Sequence, residues 1–184
     1  ISVVGHIQAQ IDVACIGNSI TWGNKLPDPG TQSYPSQLAV LLGNNYVVNN
    51  FGGPGRTLLH NTGWEYILSN QWIYSIATPH DVVIILLGTN DSQENNWVEK
   101  AHFKEDYLDL IDDYKNYPLS DDPVFILGLP PPVFSESGGS RNATIVNEII
   151  PMIKQVATQT DATIADFYNA LNGKPELFID GIHP

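Results

Sequence analysis

The chain has 184 residues, enough for one domain with a single sizeable core and too few for two ordinary ones. With 42% hydrophobic and 15% charged residues it has the composition of a globular protein, not of a disordered or fibrous one. A formal net charge of −12 repels phosphate backbones and anionic headgroups, so nucleic acid is excluded as an expected partner and a neutral or weakly charged small molecule is favoured.

The first ten residues, ISVVGHIQAQ, fit two readings: the remnant of a secretory signal, which would make the protein secreted or periplasmic, or an extra edge segment. From residue 11 the pattern becomes regular. A Val/Ile-rich run over 11–16 reads as a strand and holds the single cysteine, Cys15, which is therefore expected to be a buried structural thiol. It leads into Gly17-Asn18-Ser19-Ile20-Thr21. A helix is expected over 34–42, a second strand over 46–48, and then the glycine-rich loop Asn50-Phe51-Gly52-Gly53-Pro54-Gly55-Arg56-Thr57. Apolar spacing of three and four predicts a helix over 64–77.

The strand over 81–87 is apolar on both faces, as a central strand of a parallel sheet covered on both sides requires. It opens into Gly88-Thr89-Asn90-Asp91. A helix over 103–117 and a strand over 124–129 follow, the latter ending in Pro130-Pro131-Pro132. Residues 135–142 read as a substrate loop loosened by Gly138-Gly139, before a helix over 143–160, a fifth strand over 163–165 and the terminal cluster Asp180-Gly181-Ile182-His183-Pro184. Alternating strands and helices predict a three-layer α/β/α sandwich around a five-stranded parallel sheet, one domain over 11–184. In such a sheet ligands bind at the carboxyl ends of the strands, where the unusual loops fall.

The apolar runs stop at about seven residues, against the roughly 20 that span a bilayer, so no membrane insertion is expected. Histidines and acids lack metal-ligand spacing, and the glycines match neither phosphate-binding pattern, so no metal and no cofactor are expected. What remains is a hydroxyl that needs a base. Ser19 is a weak nucleophile until an imidazole takes its proton, and that imidazole needs a carboxylate to orient it. Asp180 and His183, three apart around Gly181, offer both within one turn. Donors for a developing oxyanion are on hand in the backbone N–H groups of Ser19 and Gly55 and the amide of Asn90. His6, His60, His80 and His102 read as surface histidines, with His60 placed to line the substrate entrance. Of the four tryptophans, Trp22 and Trp64 are the ones expected to border the cleft.

The four loops together resemble the blocks of the SGNH (GDSL-type) hydrolases. GNSIT resembles the nucleophile block, NNFGGPGRT the second block with its oxyanion glycine, LGTND the G-x-N-D block and DGIHP the D-x-x-H block. All four come in the family's order. The resemblance implies a flavodoxin-like sandwich and a cofactor-free esterase. It puts the nucleophile on Ser19, the oxyanion donors on Ser19, Gly55 and Asn90, and the acid and base on Asp180 and His183. Looser similarity, in Ser33-Tyr34-Pro35 to Leu38, Arg56-Thr57-Leu58-Leu59 and Ile149-Ile150-Pro151-Met152-Ile153, to secreted bacterial carbohydrate and sialate O-acetylesterases implies acetyl esters on a sugar. Asn18, Trp22, Arg56 and His60 are the expected substrate contacts. Lysophospholipase, lipase-like or aryl esterase activity, and a carbohydrate-binding relative without chemistry, are the alternatives. The sequence departs from the pattern at Asn18, where the family has Asp, and in stopping at Pro184, where the family continues into a final helix. Asn18 is expected to hold the loop by hydrogen bonds.

Overall fold

The computed structural model describes residues 10–116 and 122–184. The sheet has five strands: β1 (Ile11–Gly17), β2 (Tyr46–Gly52), β3 (Val82–Leu86), β4 (Val124–Leu129) and β5 (Thr163–Asp166). They run parallel in the order β2-β1-β3-β4-β5. The apolar β3 is central, as its two-faced pattern requires. Because β2 lies on one side of β1 and β3 on the other, the winding reverses between β1 and β3. A crevice for ligand is expected at the carboxyl ends of these two strands.

Alternation along β1 and β3 sends side chains to two cores. Ala14, Ile16, Val83 and Ile85 belong to the larger, built with α6 (Phe103–Asn116) and α8 (Ile150–Thr160) through Tyr107, Leu110, Ile111, Ile153 and Val156. Val13, Cys15 and Ile84 form the smaller, against Tyr34 and Leu38 of α3 (Tyr34–Leu42). Cys15 is fully buried, and burial pushes its thiol up to about 12.

Three elements differ from expectation. Strand β2 runs four residues beyond position 48, because Asn49 to Gly52 pair with Ala14 to Gly17 despite the weak strand preference of asparagine. The stretch 64–77 is helical only in α4 (Asn70–Ile76): Glu65 bridges to Thr57, a 3₁₀ turn spans Tyr66–Leu68, and Ser69 Oγ then accepts from Trp72 N at 3.1 Å as an N-cap. The predicted helix over 143–160 forms from Asn142 but passes through a π turn, Ile145–Ile149. Pro151 lacks the N–H that would close the α-helical bond to residue 147, which accounts for the local widening. The expected edge segment over 1–10 lies, apart from Gln10, outside the described residues, as does position 117. Among the described residues no helix is long and apolar enough to cross a membrane.

Candidate active site

The site is assembled from the loops that leave β1, β2, β3 and β4 and from the 180–183 turn. After β1 the chain enters a single helical turn, α1 (Ser19–Trp22), whose N-cap is Asn18. Asn18 Oδ1 accepts from Ile20 N at 2.9 Å, and the residue is 1% exposed. Ser19 therefore stands at the first helical position, where its N–H has no intrahelical acceptor. The turn presses so closely on the strands that side chains are excluded beside it: a Cβ on Gly17 would lie 2.0 Å from Thr21 Oγ1, and one on Gly52 2.2 Å from Trp22 N.

His183 Nε2 lies 2.8 Å from Ser19 Oγ, and His183 Nδ1 lies 2.8 Å from Asp180 Oδ2. The other carboxylate oxygen, Asp180 Oδ1, accepts from the backbone N–H groups of Ile182 at 3.0 Å and His183 at 2.9 Å. Partial burial alone would raise the Asp180 carboxyl. The hydrogen bonds from the His183 backbone and imidazole and from Ile182 outweigh it and bring the group down to about 2. Asp180 is thus ionised at any pH where an imidazole can act as base. The turn is pinned from outside: Gly181 O accepts from Phe134 N at 2.7 Å and Ser135 N at 3.2 Å, and Phe134 packs edge-on against Phe178 at 4.9 Å.

The second block folds as a tight turn in which Arg56 N donates to Gly53 O at 3.1 Å. Pro54 precedes Gly55, and Gly55 has φ +79°, the pattern of a type II turn that admits glycine far better than any residue with a Cβ. Asn90, after β3, donates from Nδ2 to Arg56 O at 2.9 Å, which leaves that NH₂ a second hydrogen. Its own carbonyl is held by Asn96 Nδ2 at 2.9 Å. Ser19, Gly55, Asn90, Asp180 and His183 all line one cavity of about 340 Å³, with Asn24, Pro54, Ser137, Gly138, Ser140 and Ile182 completing its wall. The residues expected to donate and a hydroxyl–imidazole–carboxylate chain therefore share one space.

The expected substrate contacts fare differently. Asn18 is buried beneath the turn as its cap, and none of Trp22, Trp64 and Arg56 lines the cavity, although Trp64 lies just outside it, against Gly55. His60 faces a separate depression with Asp109, Asp112, Asp113 and Asn116, and its Nδ1 sits 3.2 Å from Asp106 Oδ1. That partner is 46 positions away, beyond the reach of a local reading. Nor are all four remaining histidines at the surface: His80 is 3% exposed, with Nε2 2.8 Å from Ser75 O, and burial lowers its basicity. Among the described residues no group of three or more His, Cys, Asp or Glu is placed to hold a metal ion.

One residue of the motif loops has a role the sequence reading did not give it. Asp91 is fully buried, and its Oδ1 accepts from Leu58 N at 2.9 Å and Leu59 N at 2.8 Å. Burial pushes its carboxyl up to about 6, against the pull of those backbone donors. The side chain ties the loop after β3 to the loop after β2. Ser137, Gly138 and Ser140 of the 135–142 segment line the cavity, in the place expected of a substrate loop, whereas Asn24 was missed because a lone polar loop residue carries no spacing signal.

Known proteins resemble the chain in sequence and in fold. Residues 15–184 match the GDSL-like lipase/acylhydrolase family. An acetylxylan esterase from Xylanibacter ruminicola is 35% identical over 190 residues, covering 95% of this chain and 40% of the relative's own length. Among solved structures, a carbohydrate acetylesterase from Sinorhizobium meliloti superposes with TM-score 0.76 at 22% identity, covering 95% of this chain and 90% of that one. An aryl esterase of M. smegmatis in inhibitor-bound form gives TM-score 0.72 at 21% identity, covering 94% and 90%. The chain belongs to the GDSL-like lipase/acylhydrolase family, whose class is that of the carboxylic ester hydrolases.

Proposed function

We propose that the chain is a serine esterase that removes small acyl groups, acetyl above all, from carbohydrate. The observation that carries the chemistry is the unbroken relay from Ser19 Oγ through His183 to Asp180, with both links at 2.8 Å. As Oγ attacks the ester carbonyl carbon, His183 Nε2 takes the hydroxyl proton, and Asp180 holds Nδ1–H and the imidazolium charge. The carbonyl oxygen becomes an oxyanion, met by the N–H groups of Ser19 and Gly55 and by Asn90 Nδ2. Collapse expels the alcohol, which leaves with the proton from His183. Water then attacks the acyl-Ser19 carbonyl, again giving its proton to His183, and acid and free serine result.

Two observations support a small acyl group on a sugar. The cavity is lined beside the reacting atoms by Asn24, Ser137 and Ser140, groups that exchange hydrogen bonds with hydroxyls, and the acetylxylan esterase is 35% identical to the chain over 190 residues. A polymeric substrate would place the working protein outside the cytoplasmic membrane.

Ser19→Ala is expected to lower hydrolysis of p-nitrophenyl acetate by roughly 10⁴-fold or more and to abolish labelling by a fluorophosphonate. Turnover surviving in that variant would remove Ser19 from the mechanism. The acyl group is tested separately. Rates that rise with acyl chains beyond about four carbons would replace the acetyl reading with a lipase-like one.

A further inference from the structure

The cavity accounts for the acyl group and the atoms around it, but an ester also has an alcohol. Trp64 lies beside the donor turn. It is 57% exposed, and a Cβ built on Gly55 would lie 3.8 Å from Trp64 Cε3, the one atom within 4 Å among the described residues beyond its chain neighbours. Gly55 thus faces the reaction cavity and the indole at once. A single exposed aromatic is ordinary on a protein surface and needs no explanation. One set against an oxyanion donor, on a backbone that cannot move away, is not ordinary.

That backbone is held at both ends. Trp64 O accepts from Thr57 N at 3.0 Å, and Trp64 N donates to Thr62 Oγ1 at 3.1 Å. Thr62 Oγ1 in turn lies 2.7 Å from the hydroxyl of Thr57, which is fully buried. Left-handed backbone at Asn61 (φ +61°) and Gly63 (φ +80°) turns the loop just before the indole. Leu58 and Leu59 are tied to Asp91, and His60 N donates to Asp106 Oδ2 at 2.8 Å. The loop presents a large flat apolar face without a mobile stem, so little ordering is lost when a ligand covers it.

We infer that Trp64 is the platform for the alcohol side of the substrate, stacking on the C–H face of a pyranose ring whose acetyl group lies in the Ser19 cavity. The inference rests on the proposed esterase activity and names its leaving-group subsite. An indole carries a negative face, and the axial C–H bonds of a sugar ring present a weakly positive, apolar one. No charged group is needed, which suits a chain of net charge −12 acting on a neutral sugar.

The test compares Trp64→Ala and Trp64→Phe with the unaltered protein on two acetates: acetylated xylotriose, which has rings, and ethyl acetate, which has none. For Trp64→Ala, KM on acetylated xylotriose is expected to rise roughly tenfold with kcat within about twofold, while kcat/KM on ethyl acetate stays unchanged; Trp64→Phe recovers most of the loss. Equal losses on both esters would show that Trp64 only shapes the donor turn and would overturn the platform. So would no loss on either, or, with phenyl acetate as a third substrate, a larger loss there than on acetylated xylotriose, which would assign the face to aryl alcohols. Should the unaltered protein cleave ethyl acetate but not acetylated xylotriose, the platform fails and the esterase reading stands. Should it cleave neither and resist the fluorophosphonate, the esterase reading itself fails.

Discussion

At the scale of single residues, the site separates groups that meet the substrate from groups that hold them. Under the proposed mechanism Asn90 does both: one hydrogen of its NH₂ fixes the turn carrying Gly55 through Arg56 O, and the other would meet the oxyanion. Asn90→Ala should therefore lower kcat by about 10²- to 10³-fold with a smaller change in KM, measured on p-nitrophenyl acetate. A loss confined to KM would assign Asn90 to substrate binding alone. Asp91, next to it, is not part of the cavity lining; its carboxylate holds the backbone N–H groups of Leu58 and Leu59.

At the scale of elements, the 180–183 turn shows how local geometry serves a distant partner. Gly181 adopts φ +80°, and a Cβ there would meet Ser135 Cβ at 2.5 Å and Ser135 N at 2.9 Å. Gly181→Ala is expected to displace Asp180 and His183 and cut kcat/KM and the rate of fluorophosphonate labelling by roughly 10²-fold, with the circular dichroism of a folded protein preserved. Unchanged activity in that variant would mean the turn tolerates far more displacement than its packing suggests.

The same scale explains what could be read from the sequence. Ser19, Gly55, Asn90 and the Asp180–His183 pair were legible because each sits within a few residues of a strand end or within one turn, and short spacings survive in a linear text. The strands of the sheet were legible for the same reason, through runs of Val and Ile. The pairing of Asn49 to Gly52 with β1 was not, because partners across a sheet override the preferences of asparagine. Nor was the Trp64–Tyr66 stretch, whose apolar spacing imitates a helix while its hydrogen bonds go to Thr57. The His60–Asp106 pair and the grip of Asp91 on the second block depend on contacts 46 and about 33 positions apart, which only the folded chain reveals.

At the scale of the whole molecule, the net charge of −12 sets which polymers can approach. On acetylated neutral xylan, kcat/KM should be nearly flat between about 20 and 200 mM salt, because no long-range field acts on the substrate. On an acetylated polyuronate it should rise several-fold over that range as repulsion is screened. A strong salt dependence with the neutral polymer would point to a cationic patch that governs approach.

Ser19 Oγ and His183 Nε2 are 164 positions apart in the chain and are brought to 2.8 Å by the folded sheet and its loops. Under the proposed mechanism turnover therefore reports on the whole assembly at once: two separated halves of the polypeptide, each lacking one partner of that contact, are expected to show none of it until they reassociate.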